Sequence, residues 1–466
     1  MPSPKKTLDR SIVEGPVAAA VFKLAWPTML QNMIAGLQGV IDHALVGHFV
    51  GFTANAGIGV SWQIFLVVMT FIGSLFTGMG VLAARAAGAG DQAQVNRVVY
   101  QALITTAVLC LGVLAPVGWF ISPLLLDLVQ ATEAVKAEAL PFLRIMFVCS
   151  AGLMLQFLFG GAMRAAGDAQ TPLRLGIAMT VLNIAFNVVL IPGLGPIPAL
   201  GTAGAATGTC LASALVAAYA LVQLWRGAWV VSFAHLPSYR PDPAVIRELF
   251  RFGLPAGVQG VAMNVAGVLL LRYIGGLTLS AQAQAAWAVS YVELFSFITW
   301  SSVGLMGAAA TVAGQNLGAG KPERVDATAM AAARIGLTVA AVIGAMFVVM
   351  PRVLLGVFGM TDPEAAGIAV TLLRFLAVSG GFVTVALSFT GALQGTGDTR
   401  SPLAISIVSQ IVVPLGLCAV FEATVGLEPW RIWLAVVLGH MTRAALSVWR
   451  FRQGKWRAIR VGLSPA

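Results

Sequence analysis

Long apolar stretches recur along this sequence, and short segments rich in glycine, proline and charged residues separate them. A helix that crosses a membrane needs about 20 mostly apolar residues, and twelve stretches reach that length. The predicted spans are 17–42, 53–83, 97–119, 140–163, 172–192, 201–225, 247–272, 282–312, 327–350, 367–394, 402–422 and 430–450. The pattern therefore predicts an all-α integral membrane protein with 12 transmembrane helices.

The composition agrees with this prediction. Of the 466 residues, 58% are hydrophobic and 10% are charged, and the mean hydropathy is +0.89. A soluble surface needs far more charge than this, and a membrane β-barrel would show short alternating segments instead. The net charge of +10 does not indicate nucleic-acid binding, because the cations lie between the apolar stretches. Four cysteines inside apolar stretches have no metal-ligand spacing, so no metal site is expected.

The distribution of lysine and arginine predicts the orientation. Six of the 28 fall on one side of the predicted membrane, and the others fall on the opposite side together with both termini. The six are Lys136, Arg144, Arg272, Arg352, Arg374 and Arg431. Cytoplasmic loops carry the excess of these residues, so both termini are expected in the cytoplasm.

The chain contains an internal repeat. GAMRAAGDAQTPL at 161–173 matches GALQGTGDTRSPL at 391–403, an offset of 230 residues, and KLAWPTMLQ around Pro27 matches RFGLPAGVQ around Pro255. Each half then holds six helices. Because six is even, both halves insert with the same orientation, which predicts two lobes related by a pseudo-two-fold axis along the membrane normal.

These matches predict three parts of the chain. Residues 1–225 form an N-terminal six-helix lobe, 226–246 a cytoplasmic linker, and 247–466 a C-terminal six-helix lobe with a cytoplasmic tail. In the loop that repeats in both halves, Thr171 and Ser401 are expected to cap the helices that follow.

Two acidic residues lie at membrane depth in the predicted spans, Asp42 and Glu293. Insertion of a charged side chain at that depth costs roughly 2.5–3.5 kcal/mol, so each of these acids is expected to have a specific structural or functional role. Asp42 is expected to exchange a proton or another cation, unless it lies at the outer interface. Glu293 is expected either to bind a cationic substrate or second proton, or to be a hydrogen-bonded structural acid.

Polar and helix-bending residues add further candidates. Asn183 and Asn187 lie one helical turn apart on one face, where amides either join helices or line a polar cavity. Pro27 and Pro255 would kink the first helix of each half. Such a kink either fixes the shape of the helix or acts as a moving hinge.

Five stretches together resemble the multidrug and toxic compound extrusion (MATE) transporters, and most closely their DNA-damage-inducible protein F-like branch. They are EGPVAAAVFKLAWPTMLQNM, VIDHALVG around Asp42, GQNLGAGKPERV, GALQGTGDTRSPL and NIAFNVVLIPGLGPIPALGTAGAA from position 183. The resemblance implies alternating access by two lobes in a bacterial inner membrane. It also implies an ion-coupling site of Asp42, Asn183 and Asn187, and helix bending at Pro27.

The resulting prediction is a cation-coupled antiporter that exports organic, mainly cationic or amphipathic compounds. Some members of the branch carry aspartate where this chain has Asn187, and one fewer carboxylate favours H⁺ over Na⁺ as the coupling ion. The expected partners are small organic substrates and membrane lipids, with no cofactor, no nucleic acid and a monomeric chain.

Three other functions fit the sequence less well. A flippase for lipid-linked precursors, of the same superfamily, would hold phosphates with a cationic cavity, whereas the arginines here map to loops. A membrane-embedded enzyme would need clustered histidine, aspartate or cysteine, so no enzyme is predicted. A channel would need a ring of equal charges.

Overall fold

The computed structural model describes residues 7–234 and 236–462, and in this part the chain is helical, without β-strands. The ends of both predicted lobes, 1–6 and 463–466, and residue 235 of the predicted linker lie outside the described residues. The twelve long helices are α1 Val17–Phe49, α2 Phe52–Gly88, α3 Gln92–Leu128, α4 Glu133–Ala165, α5 Gln170–Leu190, α6 Gly201–Arg226, α7 Pro243–Gly275, α8 Ser280–Gly318, α9 Glu323–Val349, α10 Pro363–Gly395, α11 Arg400–Thr424 and α12 Pro429–Arg452.

These helices coincide with the twelve predicted spans, and the fold-class prediction is confirmed. Ten are long and apolar enough to cross a membrane, and α4 makes an eleventh crossing if its two segments are taken as one span bent by 53°. The twelfth, α1, has 33 residues and is long enough. It falls outside that group, and it carries polar side chains in both halves, Lys23 and Asp42 among them.

Three of the helices contain a π-helical segment that the sequence did not predict. Two of these segments, Val108–Leu114 in α3 and Val408–Val412 in α11, end two residues before a proline, Pro116 and Pro414. Proline has no N–H to donate and its ring collides with the carbonyl four residues earlier, so a locally wider helix relieves the clash. The third segment, Ala288–Leu294 in α8, contains Glu293.

The repeated loop has the same geometry in both halves. Gly167 and Gly397 have φ of +97° and +94°, values that favour glycine. The prediction that Thr171 caps α5 is wrong, because Asp168 Oδ1 accepts hydrogen bonds from the backbone N–H groups of Gln170 and Thr171 at 3.0 Å. A carboxylate placed two or three residues ahead reaches two N–H groups at once, which a threonine hydroxyl inside the first turn cannot do.

The second half repeats this correction. Asp398 Oδ1 accepts from the N–H of Ser401 at 3.2 Å, and the Ser401 hydroxyl donates to Asp398 Oδ2 at 2.9 Å. The predicted cap residue Ser401 is therefore a partner of the capping aspartate, and the two loops share the same capping arrangement.

The described residues form two compact units. The first contains 30–257 and the second contains 10–29 and 258–460. Helices α1 and α7 each contribute residues to both units, and the division falls two residues after Pro27 and two residues after Pro255. Both helices continue without interruption through these prolines, and the predicted kinks stay predictions.

Close helix packing in each unit depends on glycine. In the first unit a Cβ at Gly78 of α2 would lie 2.2 Å from the Leu249 carbonyl oxygen of α7. In the second unit a Cβ at Gly395 of α10 would lie 2.0 Å from the Ala310 carbonyl oxygen of α8. Small residues that let two backbones approach are typical of helix contacts in membranes.

Candidate functional site

The first unit contains a cavity of about 420 Å³ whose wall includes Asp42. Helices α1, α2, α4, α5 and α6 line it. Its polar lining residues are Gln31, Gln38, Asp42, His43, Gln156, Thr180 and Thr209, and the rest of the wall is mostly apolar or aromatic. A largely apolar pocket with a few convergent polar groups is the usual form of a small-molecule site.

Asp42 is held by an amide of α5. Asn187 Nδ2 donates a hydrogen bond to Asp42 Oδ1 at 2.8 Å and lies 3.2 Å from Asn183 Oδ1, to which it also donates. Asn183 Nδ2 in turn donates to the Thr209 hydroxyl of α6 at 2.9 Å. The chain of contacts therefore runs from α1 through α5 to α6.

Helical spacing explains why these side chains meet. Asn183 and Asn187 are four residues apart on α5, and both are fully buried. Helices α1 and α5 lie side by side. Gln31 contacts Gly176 near one end of their interface, and Asp42 accepts a hydrogen bond from Asn187 near the other end. The structure thus brings the three predicted ion-coupling residues together.

Glycines of α6 give α5 the room for this arrangement. A Cβ at Gly204 would lie 2.5 Å from the Leu190 carbonyl oxygen, and a Cβ at Gly208 would lie 2.1 Å from Asn187 Oδ1. The Asn187 amide therefore packs directly on the backbone of α6. Its oxygen Oδ1 is buried and accepts no hydrogen bond from the described residues, so the nitrogen carries all the polar contacts of this side chain.

Neighbouring polar contacts extend the site along α1. The Thr180 hydroxyl donates to Gln38 Oε1 at 2.8 Å, and Arg164 Nη1 donates to Gln31 Oε1 at 3.4 Å. His43 Nδ1 lies 2.5 Å from Asn55 Oδ1 of α2. The imidazole thus has its own partner beside the acid.

The sequence reasoning missed several residues of this site. Gln31, Gln38 and Asp42 recur at helical spacing on one face of α1, and that signal was available. Thr209 and Gln156 gave no comparable signal, because a threonine or glutamine in an apolar helix is common in packing contacts.

The other acid at predicted membrane depth belongs to the second unit. Glu293 lies in the π-helical segment of α8 and is partly exposed. Its carboxylate has no hydrogen-bond or ion-pair partner in the described part of the chain, while its backbone carbonyl accepts from the Ser296 hydroxyl. Its predicted role in substrate or proton binding stays a prediction. No group of three His, Cys, Asp or Glu side chains is placed to hold a metal ion among the residues with described positions.

Comparison with known proteins identifies the class of this molecule. The sequence model of the MatE family matches residues 27–189 and 255–420, and the chain belongs to this family. The two matched segments correspond to the two halves of the internal repeat. The family prediction made from the sequence is confirmed, while the branch within the family stays a prediction.

Relatives in bacteria carry the name of probable multidrug resistance proteins. A probable multidrug resistance protein NorM from Thermotoga maritima is 27% identical over 441 residues, 94% of this chain and 92% of that protein. Its namesake from Deinococcus radiodurans is 28% identical over 92% of this chain and 93% of its own length. The molecule is thus a multi-pass membrane protein of a multidrug efflux transporter family.

Solved structures agree on the fold. An outward-facing conformation of a multidrug resistance MATE family transporter superposes with a TM-score of 0.89 at 20% identity, covering 97% of this chain and all of that one. A transporter of the MOP superfamily from Pyrococcus furiosus gives 0.88 at 20% identity with the same coverage.

Proposed function

We propose that this chain is an antiporter that exports organic, mainly cationic or amphipathic compounds by alternating access, with the proton as coupling ion. The supporting observation is the position of Asp42, a carboxylate on the wall of the cavity with one oxygen bonded to the Asn187 amide. A carboxylate in an apolar cavity attracts a proton or a cationic molecule strongly, because the low dielectric there screens its charge less than water does.

The character of the cavity supports the proposed substrate class. Its lining, as far as the structure describes it, contains one carboxylate and no lysine or arginine. Trp62, Phe142 and Phe157 supply aromatic surface, which attracts organic cations through the negative face of the ring. A phosphate-bearing precursor would need fixed positive charge there, so the lining favours export of cations over a flippase.

The donor set supports protons as the coupling ion. Sodium sites need several oxygen ligands around one charge, and here the Asn187 group that faces Asp42 is its N–H₂, a donor that cannot ligate a cation.

We place the protein in the bacterial inner membrane as a monomer, with both termini in the cytoplasm. The lysine and arginine distribution supports this orientation.

Dye export from vesicles tests the proposal. Wild type, Asp42→Asn and the control Asp127→Asn, an exposed acid at the end of α3, are reconstituted into proteoliposomes. Export of a fluorescent cationic dye is followed under an imposed proton gradient and then under a sodium gradient. We expect proton-driven export that is lost in Asp42→Asn and retained in Asp127→Asn.

Each alternative has its own result. Export driven by sodium alone would overturn the coupling ion. Wild-type export by a folded Asp42→Asn variant would remove Asp42 from the mechanism and direct attention to Glu293. A folded wild type that exports no dye would favour the flippase.

A further inference from the structure

The polar segment between α6 and α7 is docked on one face of α3. Asn96 Oδ1 accepts from the N–H of Ser232 at 3.0 Å, and Gln92 donates to the Val230 carbonyl. Further along, Gln101 Nε2 donates to the Arg240 carbonyl at 2.8 Å. Side chains of the first turns of α3 therefore hold the linker backbone at several points.

This docking leaves a second, half-open cavity in the first unit, of about 400 Å³. Arg97 and Gln101 of α3 form one wall, and linker residues between 237 and 243 form the other. The cavity is separate from the one that contains Asp42, and the proposed transport mechanism gives it no task.

Of the two arginines that line this cavity, Arg97 is paired with a carboxylate and Arg240 has no such partner among the described residues. Asp242 forms an ion pair with Arg97, and its Oδ1 accepts from the N–H groups of Ala244 at 3.0 Å and Val245 at 3.4 Å. Burial alone would raise the pKa of Asp242, but Arg97 and these N–H groups outweigh it and the pKa is lowered. Asp242 is therefore fully engaged and its charge is balanced by Arg97.

Arg240 supplies the remaining positive charge. Its side chain is exposed, and its guanidinium has no partner in the part of the chain that the structure describes. Ser238 Oγ accepts from the N–H of Arg240 at 3.2 Å, so the hydroxyl proton of Ser238 is available to a ligand. The cavity thus offers one free guanidinium and one hydroxyl donor beside a balanced ion pair.

The surroundings of this cavity are typical of the level of lipid headgroups. Arg97 and Gln101 belong to the polar start of the predicted span 97–119, so the cavity lies at the edge of the predicted hydrocarbon region. Beside it, the Tyr100 ring is 6.3 Å from Trp225 and 5.5 Å from Tyr239, centroid to centroid, and the latter two are exposed. Exposed tryptophan and tyrosine rings of this kind gather at membrane interfaces.

We propose that this cavity binds the phosphate of an anionic phospholipid, with Arg240 as the principal ligand and Ser238 as a second donor. A basic pocket at the cytoplasmic interface is suited to such a headgroup, and a phosphate accepts charge-assisted hydrogen bonds from a guanidinium. The bound lipid would contact the linker where α3 already holds it. The inference rests on the orientation proposed above, which places the linker in the cytoplasmic leaflet.

Native mass spectrometry of the purified full chain tests the inference without any transport. Wild type, Arg240→Gln, Arg240→Lys and the control Arg226→Gln are titrated with phosphatidylglycerol, phosphatidylcholine or inorganic phosphate. Arg226 is an exposed arginine at the end of α6 that does not line the cavity. The measured quantity is the fraction of protein that retains a bound lipid.

We expect one phosphatidylglycerol per chain in the wild type and in Arg226→Gln. Loss of one charged contact of about 1.4 kcal/mol corresponds to about tenfold weaker binding in Arg240→Gln, while Arg240→Lys retains part of the affinity. Equal binding of phosphatidylcholine would overturn the anionic assignment. Competition by inorganic phosphate at the same concentration would overturn the lipid assignment, and equal losses in Arg226→Gln and Arg240→Gln would overturn the site. None of these results depends on dye export, so failure of the transport proposal is distinguished from failure of this one.

Discussion

A single methyl group at Gly208 tests whether the hydrogen bond between Asn187 and Asp42 matters. In Gly208→Ala the new Cβ would lie 2.1 Å from Asn187 Oδ1 and 3.2 Å from Asn187 Cγ. Ordinary contact begins near 3.4 Å, so the amide oxygen must retreat by about 1.3 Å. A planar amide cannot move that far and keep its bonds at 2.8 Å to Asp42 and 3.2 Å to Asn183.

The magnitude follows from the type of bond that is lost. A hydrogen bond to a charged group contributes about 1.5–3 kcal/mol, and each 1.4 kcal/mol is about a factor of ten in an equilibrium. We expect the initial rate of proton-driven dye export by Gly208→Ala to fall at least about tenfold. The Asp42 carboxylate itself is unchanged in this variant, so the loss reports its positioning.

The assay uses the proteoliposomes described above, with the melting temperature followed by tryptophan fluorescence. Gly59→Ala is the matched control, because a Cβ at Gly59 of α2 would meet nothing within 4 Å. We expect wild-type export from this control. Full export by Gly208→Ala at a normal melting temperature would refute the reasoning, and an equal loss in Gly59→Ala would assign the effect to helix flexibility.

Two further pairs of variants test the packing and electrostatics of the second unit. Gly395→Ala places a Cβ 2.0 Å from a backbone oxygen of Ala310, and we expect the free energy of unfolding to fall by about 1–3 kcal/mol. The control is Gly381→Ala, whose Cβ would lie 3.5 Å from Leu337, and Gly395→Ala should have the lower melting temperature of the two. Arg443 of α12 is buried, its Nε has no partner and no carboxylate among the described residues pairs with it, so Arg443→Met should raise the melting temperature by relieving a desolvation penalty of several kcal/mol. Arg450→Met should lower the melting temperature, because Arg450 pairs at 2.8 Å with the buried Asp398. If the melting temperature of Arg443→Met fell as far as that of Arg450→Met, this reasoning would be contradicted.

The helices could be predicted because their signal is local. Twenty apolar residues in a row have few alternatives in a membrane, so all twelve predicted spans coincide with helices. The structure extends several of them by a turn or more, as in α3, which begins at Gln92 rather than 97. At that end of α3 the added residues, 92–96, are mostly polar and therefore escape a hydropathy pattern.

The candidate site was only partly predictable because its contacts join distant parts of the chain. Asp42 stood out as an acid in an apolar helix, and Asn183 and Asn187 stood out through their spacing and the family resemblance. Their meeting depends on how α1 packs on α5, which no local pattern encodes. Gly208 shows the same limit, because a glycine in an apolar helix does not reveal its neighbour, and the structure identifies the Asn187 amide on which it packs.

The internal repeat shows which polar residues the fold itself requires. In the first half, Gln31 contacts Gly176 and accepts a hydrogen bond from Arg164. The equivalent residue of the second half is Gln259. It donates a hydrogen bond to Ser406 at 2.7 Å and accepts one from Gln394 at 3.5 Å, and these two residues are equivalent to Gly176 and Arg164. A contact retained in both halves serves the packing of the first helix of each half.

The residues around Asp42 differ from this pattern. The match between Pro27 and Pro255 makes Leu270 the position equivalent to Asp42. The offset of 230 residues makes Val413 and Leu417 the positions equivalent to Asn183 and Asn187. The second half thus reaches the same helical arrangement with apolar residues at all three positions, so the fold does not need the polar group. A half-buried acid and two buried amides that the fold does not need carry only their desolvation cost unless they serve a function, which supports the proposal that coupling belongs to the first half and not to the second.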